Sequence, residues 1–280
     1  MTDYLEFTCD LSDPQVLSML DEVSLWSAAF GMLLLEYLPL KSNQTVLDIG
    51  CGTGFPLLEL AQRGGDSTFV VGIDPWQAAI AKVKQKIQFL KLTHAAVIVG
   101  DAADLPFNSE KFDLIVSNLG VNNFKNPPAV FAECCRTLKF KARLILTTNL
   151  RGHFREFYQI YADTLTALGR DEWLFKLQTH IDHRVSLEQV HSLLESVGLR
   201  IVKQHQQTFY QRFVNGSALL RHYFIKIGFL DGWKSIIPSN EQKVFFQKLE
   251  ERLNDFATSK GELKLTIPML YVEAEKNQEP

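Results

Sequence analysis

The chain has 280 residues, of which 46% are hydrophobic, so it is long enough to bury a sizeable core as one large domain. Its 29 basic and 32 acidic residues give a formal net charge of -3, which provides no field that would gather nucleic acid or an anionic membrane. We therefore expect a small-molecule substrate and no nucleic-acid partner.

The N-terminal segment, residues 1–43, is expected to be helical. Apolar side chains at three- and four-residue spacing predict one or two amphipathic helices over residues 13–38. Acidic residues stand where a signal peptide needs basic ones, and no apolar run reaches the roughly 18 residues of a membrane span. We therefore expect a cytoplasmic protein that does not enter a membrane. The helical pattern is carried by Val16, Leu17, Leu20, Val23, Trp26, Phe30, Leu33 and Leu34.

Between residues 44 and 150, short runs rich in β-branched residues alternate with helical patterns. Nearly continuous apolar strands between helices are typical of a parallel sheet covered on both faces, so the segment predicts a doubly wound α/β core. The predicted strands are 44–49, 68–73, 95–99, 112–117 and 143–148, and the predicted helices are 55–63, 76–91 and 127–138. The run KVKQK at 82–86 lies on the second of these helices and predicts a solvated face.

The rest of the chain is expected to finish the sheet and to cover it. Segments 186–210 and 262–275 supply the last strands, and a helix over 186–197 has Ser186 and Gly198 as predicted caps. Pro268 cannot donate a ladder hydrogen bond, which predicts a bulge or an interrupted pairing in the last strand.

Two helical segments, 150–185 and 211–261, interrupt this pattern. In a parallel sheet both emerge where strands end, so they are predicted to cap a ligand there, within a single domain of residues 1–280.

The stretch VLDIGCGTGFP, residues 46–56, places three glycines after a strand. Gly50, Gly52 and Gly54 let a ligand approach the main chain, and the next helix presents free N–H groups to it. A dinucleotide fingerprint needs its third glycine at position 55, where this chain has Phe55. The turn is not a phosphate-binding P-loop either, because no Gly-Lys-Ser/Thr follows.

With Asp48 at the strand end, the arrangement D-x-G-x-G-x-G resembles motif I of the class I S-adenosylmethionine-dependent methyltransferases. Four further stations follow in order between residues 44 and 150: GID ending in Asp74, VGDAADLPF containing Asp101, FDLIVSNLG, and CCRTLKFKARLILTT, which is similar to the family's turn into its fifth strand. At the turn into the fifth strand, residues 140–142 read Phe-Lys-Ala where many members have Pro-Gly-Gly, which leaves that turn's geometry open.

The resemblance implies a Rossmann-like sheet of seven strands, mostly parallel with an antiparallel last strand. It also implies S-adenosylmethionine as the cofactor of a small-molecule enzyme similar to methyltransferase type 11. Asp48 would orient the turn and help to hold the ligand's amino group, and Asp74 would take the ribose hydroxyls. The implied cofactor-binding residues are Asp48, Gly50, Cys51, Gly52, Gly54, Asp74, Pro75, Trp76, Asp101, Ala102, Asn118 and Leu119.

On the acceptor side, the fourth strand is followed by Ser-Asn-Leu-Gly and lacks the N/D-P-P-Y signature of many enzymes that methylate nucleobases or glutamine. This difference argues against those two substrates. His153 is the candidate general base, if the reaction uses one. The candidate substrate-binding residues are Trp26, Phe30, Asn122 and Tyr158. In HIDHR, residues 180–184, two histidines flank an acid without a third clustered ligand, so we predict no metal site.

The leading hypothesis is in-line methyl transfer from S-adenosylmethionine to a small-molecule acceptor, by a monomer or a homodimer. A second hypothesis is a non-catalytic S-adenosylmethionine-binding protein, such as a partner subunit or a regulator. A third, an NAD-dependent oxidoreductase, fails on the glycine spacing.

Overall fold

The computed structural model describes residues 2–23 and 25–277 of the chain. The description does not extend to the side chains of residues 22, 23 and 25, so the predicted contribution of Val23 to the apolar pattern lies outside the described residues. The α-helices are α1 (Pro14–Val23), α2 (Leu25–Tyr37), α3 (Leu57–Gly64), α4 (Gln77–Phe89), α5 (Pro127–Thr137), α6 (Arg155–Ala167), α7 (Leu174–Asp182), α8 (Leu187–Glu195), α9 (Gly216–Arg221), α10 (Tyr223–Ile225), α11 (Asp231–Lys234) and α12 (Ser239–Lys260). Short 3-10 turns cover Asp3–Glu6, Gly65–Ser67, Val121–Asn123 and Asp171–Trp173, and a π-helical turn covers Lys226–Leu230.

Seven strands form one mixed sheet, in the order β3-β2-β1-β4-β5-β7-β6. Strand β1 pairs in parallel with β2 and β4, β2 with β3, and β4 with β5, whereas β7 runs antiparallel to β5. This topology confirms the predicted doubly wound, Rossmann-like fold with an antiparallel last strand. The strands are β1 (Thr45–Ile49), β2 (Phe69–Asp74), β3 (Ala95–Val99), β4 (Phe112–Asn118), β5 (Leu138–Asn149), β6 (Leu199–Phe213) and β7 (Leu263–Lys276).

The central strands are buried along almost their whole length. In β1 the last four residues are buried, and in β4 six of the seven are. Burial on both faces explains why these strands read as apolar runs instead of alternating patterns.

Strand β5 begins five residues earlier than predicted, at Leu138. Its register against β4 shifts between the pairs Phe112–Leu138 and Leu114–Arg143. The unusual Phe-Lys-Ala sequence of residues 140–142 lies inside this irregularity, and Lys141 has φ 60°. A lysine therefore takes a left-handed conformation that favours glycine.

Pro268 lies where the register between β7 and β5 ends. That register runs from Arg143 opposite Glu275 to Asn149 opposite Met269. The Pro268 carbonyl still accepts a hydrogen bond from the Leu150 N–H at 3.0 Å. The proline thus stands next to the end of the paired stretch, as its missing donor predicts.

Helix α8 has the predicted N-terminal cap. The Ser186 side chain accepts from the Gln189 N–H, and the Gln189 side chain accepts from the Ser186 N–H, which completes a capping box. Gly198, at φ 83°, follows the end of the helix. Ser186 is therefore confirmed as a cap.

The chain forms two compact units, which we call the sheet unit and the helical unit. The sheet unit comprises Leu11–Asn149, Val185–Gln207 and Met269–Pro280. The helical unit comprises Met1–Asp10, Leu150–Arg184 and Thr208–Pro268. Segments 150–185 and 211–261 correspond to parts of the helical unit, and their predicted capping role stays a prediction, as does the single domain.

Helix α2 belongs to the core of the sheet unit, where Phe30 and Leu34 are 0% exposed. In the described part of the chain, no single helix is both long and apolar enough to cross a membrane. One pair bent by 49°, Pro14–Asp21 with Trp26–Tyr37, meets the length and composition criteria together.

Candidate functional site

The glycine turn after β1 has the backbone conformation that its sequence predicts. Gly50, Gly52 and Gly54 have φ values of 72°, 50° and 105°, which residues other than glycine rarely adopt. A Cβ built on Gly52 would meet no atom within 4 Å. At Gly52 the backbone conformation, and not crowding, therefore requires glycine, and the space in front of the turn is open to a ligand.

Neighbouring elements hold this turn in place. The Gly50 N–H donates to the Ile73 carbonyl of β2 at 2.9 Å. On the other side, the Phe55 ring lies against the backbone of α2, where a Cβ on Gly31 would clash with it. Phe55, which stands where a dinucleotide fingerprint needs glycine, thus packs the turn against α2.

Asp74, at the end of β2, ties the turn to the next loop. Its Oδ2 accepts from the Gly52 N–H at 2.9 Å, and its Oδ1 accepts from the Trp76 N–H at 2.8 Å. Each carboxylate oxygen can accept a second hydrogen bond. Asp74 is only partly buried, so that capacity is available to a ligand.

Asp48 is 0% exposed, and neither carboxylate oxygen has a hydrogen-bonding partner of normal geometry among the described residues. Burial, and next the charge of Asp74, raise the pKa of this carboxyl well above its ordinary value, while the Leu57 backbone acts weakly in the opposite direction. A buried carboxylate without a partner is costly. A cationic group bound near the turn would offset that cost.

Lys86, on α4, is a site residue that the sequence did not reveal. Its Nζ donates to the Thr53 carbonyl in the turn at 2.8 Å and pairs with Asp21 of α1 at 2.7 Å. The prediction of a solvated face for residues 82–86 is therefore wrong for Lys86. No local spacing links a helix residue to a turn 33 positions earlier, so only the folded chain shows this contact.

A cavity of about 610 Å³ opens at the turn, a size typical of small-molecule sites. Leu20, Asp21, Ser27 and Lys86 also line it, and the sequence indicated none of these as site residues. Seven of the twelve predicted cofactor-binding residues line it: Gly50, Cys51, Gly52, Gly54, Trp76, Asn118 and Leu119.

The other five predicted cofactor residues do not belong to that lining. Asp48 is fully buried in β1, just before the turn, and Asp74 accepts a hydrogen bond from the Gly52 N–H of the turn. Pro75 is exposed and Ala102 is 7% exposed. Asp101 is exposed, and its Oδ1 accepts from the Ala103 N–H at 2.9 Å, which closes its own turn.

Asn118, at the end of β4, connects three elements. Its Nδ2 donates to the Ser27 carbonyl of α2 at 3.0 Å, and its Oδ1 accepts from the Thr147 hydroxyl of β5 at 2.7 Å. Leu119 follows with φ 66°, and its N–H donates to the Thr147 carbonyl. These bonds fix the strand tips that form one wall of the cavity.

Three predicted substrate residues lie in the sheet unit. The ring centroids of Trp26 and Phe30 are 5.4 Å apart, and Phe30 is fully buried. Asn122 donates to Thr148 and to both oxygens of Asn149, and its Oδ1 accepts from the Val185 N–H. Asn122 thus fastens the end of β5 to the start of the α8 region.

His153 and Tyr158 lie in the helical unit. His153 is 2% exposed and stacks on Phe154, with ring centroids 3.8 Å apart. Burial, then the charges of Arg184 and His180, lower the pKa of His153 well below its ordinary value. The imidazole is therefore neutral at neutral pH. Tyr158 accepts from Trp233 Nε1 at 3.3 Å.

Within residues 2–23 and 25–277, no group of three or more His, Cys, Asp and Glu side chains is arranged to hold a metal ion.

Comparison with known proteins shows the family to which the chain belongs. A family model described as a methyltransferase domain matches residues 40–198, which is more than half of the chain. The matched region contains the glycine turn, the acidic strand ends and β1 to β5.

Curated relatives match with lower coverage. The demethylmenaquinone methyltransferase of Shouchella clausii is 25% identical over 127 residues, which are 45% of this chain and 54% of the relative. The biotin biosynthesis bifunctional protein BioHC of Saccharophagus degradans is 24% identical over 257 residues, 90% of this chain and 43% of the relative. The chain thus spans about half or less of the length of these relatives.

Solved structures share the fold. The YcgJ protein of Bacillus subtilis superposes with a TM-score of 0.58 at 16% identity, covering 90% of this chain and 99% of that protein. At this identity the likeness supports the architecture alone.

Proposed function

This chain belongs to the class I S-adenosylmethionine-dependent methyltransferases, and from that premise we propose that it binds S-adenosylmethionine at the glycine turn and methylates a small-molecule acceptor by in-line displacement. The relatives described above include enzymes named for a quinone-type acceptor and for biotin biosynthesis. The chain lacks the N/D-P-P-Y signature, which favours a small molecule over a nucleobase or a glutamine side chain.

One observation carries the proposed cofactor position: Asp48 is a buried carboxyl without a partner, two residues before the open glycine turn. The free energy that this burial costs is recovered when a cation lies nearby. The methionine-type end of the cofactor carries an ammonium group. We therefore assign Asp48 to that end of the ligand.

Asp74 and the turn are assigned to the rest of the cofactor. The two hydrogen bonds that Asp74 accepts from the backbone leave one further acceptor position on each oxygen, which suits a pair of ribose hydroxyls. Trp76 and Leu119 line the same cavity and supply apolar surface for the adenosine. Asp101 and Ala102 remain our candidates for the adenine edge.

When bound, S-adenosylmethionine supplies a methyl group on a positively charged sulfur, so the protein mainly has to align the acceptor and exclude water. Trp26, Phe30 and Asn122 of the sheet unit remain our candidates for aligning the acceptor, and Tyr158 of the helical unit stays a prediction from the sequence. His153 stays our sequence-based candidate for accepting a proton if the reaction uses a base, although its burial and its lowered pKa make the imidazole a weaker base than a free one. A His153→Gln variant that keeps the full turnover rate would remove His153 from this role.

The test of the proposed function has two parts. Calorimetry with S-adenosylmethionine and S-adenosylhomocysteine asks whether the purified protein binds the cofactor, and the absence of binding to both would overturn the proposal. A methyl-labelled cofactor incubated with a metabolite extract asks whether the label is transferred. Binding without transfer to any acceptor would instead support the alternative of a non-catalytic partner or regulator.

A further inference from the structure

The helical unit contains a guanidinium without a counter-ion. Arg184 is half-buried, and among the residues that the structure describes it forms no ion pair. The acid nearest to it in sequence, Asp182, lies 3.6 Å from Arg151 instead. The Arg184 guanidinium carbon is 6.0 Å from the centre of the Phe229 ring. A partly desolvated cation on an aromatic face is a common way to present a guanidinium to an anion.

The polar groups near Arg184 form a directed chain of donors. Trp233 Nε1 donates to the Tyr158 oxygen at 3.3 Å, and that oxygen lies 3.2 Å from His180 Nε2. An indole nitrogen can only donate, so the Tyr158 oxygen accepts from it, and the Tyr158 hydroxyl can donate to His180 Nε2 when that nitrogen carries no hydrogen. We assign His180 this tautomer, in which the neutral imidazole carries its hydrogen on Nδ1 and can donate it to a ligand.

The charge of Arg184 acts on this whole cluster. Burial, then the charges of Arg184 and His183, lower the pKa of His180 to about 4. Burial also lowers the pKa of His153, and the charge of Arg184 is the next cause. No carboxylate contributes to either shift. The positive charge of Arg184 therefore acts on both imidazoles.

We propose that Arg184 and His180 bind the oxyanion of a small-molecule ligand, either a carboxylate or a phosphate. Arg184 supplies the charge and a planar pair of N–H donors, and His180 supplies a neutral N–H. The proposal gives the HIDHR stretch a role in anion binding, through His180 and Arg184, instead of in metal binding. This site lies in the helical unit and stands independently of the proposed methyl transfer.

The experiment is an NMR titration of the histidine Cε1–H resonances with benzoate, inorganic phosphate and neutral benzamide. A bound anion offsets the charge of Arg184, so the pKa of His180 should rise at saturation. His191, which contacts Gln204 in the sheet unit, should not respond and serves as an internal reference. A His180→Gln variant assigns the resonance.

Two substitutions test the guanidinium. Arg184→Gln should weaken anion binding by roughly tenfold or more, as expected for a charge-assisted contact. Arg184→Lys keeps the charge without the planar fork and should give an affinity between those of the wild type and Arg184→Gln. The matched control is Arg252→Gln in the same unit, where the guanidinium donates to the Asp163 carbonyl, and its affinity should equal that of the wild type.

The outcomes decide the proposal. Saturable binding of benzoate alone identifies a carboxylate ligand, and saturable binding of phosphate alone identifies a phosphate-bearing one. The proposal is overturned if neither anion binds, if benzamide binds as tightly as benzoate, or if Arg184→Gln binds like the wild type. If Arg184→Gln does not fold, as judged by circular dichroism, Arg184→Lys decides alone, and wild-type affinity in that variant overturns the proposal.

Discussion

Asp74 Oδ2 accepts a hydrogen bond from the Gly52 N–H at 2.9 Å, so the end of β2 fixes the glycine turn that follows β1. The same carboxylate holds the Trp76 N–H with its other oxygen. The side chain to which we assign ribose contacts thus also shapes the turn. Changing Asp74 should therefore alter both the position of the turn and the binding of a ligand.

We expect Asp74→Ala to weaken the binding of S-adenosylhomocysteine by about 1.5 to 3 kcal/mol, the usual range for hydrogen bonds to a charged group. Calorimetry of the wild type and the variant measures this difference. Asp66→Ala is the matched control, because Asp66 is fully exposed and its one ion-pair contact, at 3.6 Å, is with His94. An unchanged affinity in Asp74→Ala would show that the ribose contact is misplaced.

Binding of the cofactor should release protons. Burial and the charge of Asp74 raise the pKa of Asp48 and so favour its protonated form in the ligand-free protein, whereas an ammonium group favours the ionised form. The affinity for S-adenosylhomocysteine should therefore fall as the pH decreases through the raised pKa. Calorimetry in buffers of different ionisation enthalpy measures the number of protons released on binding. Asp48→Asn should release fewer protons than the wild type, because asparagine does not ionise. Equal proton release in both proteins would contradict the assignment of Asp48.

The same carboxyl should affect stability in the absence of ligand. Because the folded-state pKa of Asp48 is raised, its contribution to stability is fully present below the unfolded-state pKa of about 3.9 and is lost as the pH rises through the folded-state value. Relative to the wild type, Asp48→Asn should therefore become more stable as the pH rises above the unfolded-state pKa of about 3.9. Thermal melts of both proteins at increasing pH give the difference, in which the titrations of other groups cancel. A difference that does not change with pH would argue against a raised pKa.

Lys86 should support the turn through its contacts with the Thr53 carbonyl and Asp21. We expect Lys86→Met to lower the free energy of unfolding by about 1 kcal/mol, because the contacts are charge-assisted but partly exposed to solvent. It should also weaken cofactor binding. Lys84→Met, on the exposed part of the same helix, is the control. Equal denaturant midpoints for the two variants would show that the contacts of Lys86 do not stabilise the fold.

The sequence was sufficient for the sheet and for the strand-end residues because both follow short periodic patterns. The apolar run of β1 is followed by the three glycines, and the two strands that flank β1 end in Asp74 and Asn118. Parallel strands bring their carboxyl ends to one edge of the sheet. Seven predicted residues consequently line one cavity.

The remaining features depend on contacts between distant segments, which no local pattern encodes. Lys86 resembles its solvated neighbours in sequence, yet it bonds to the turn. Asn122 was predicted as a substrate residue from its polarity and position, whereas its amide is engaged by Thr148, Asn149 and the Val185 N–H. The early start of β5 follows from the register shift around Lys141, and that shift has no signature in the residue types.

The most direct test of the proposed cofactor site is a crystal structure of the protein soaked with S-adenosylhomocysteine. We expect ligand density against the glycine turn, with the ammonium group near Asp48 and the ribose hydroxyls on Asp74. Clear density at another position, away from Gly52 and Asp74, would contradict the proposed site.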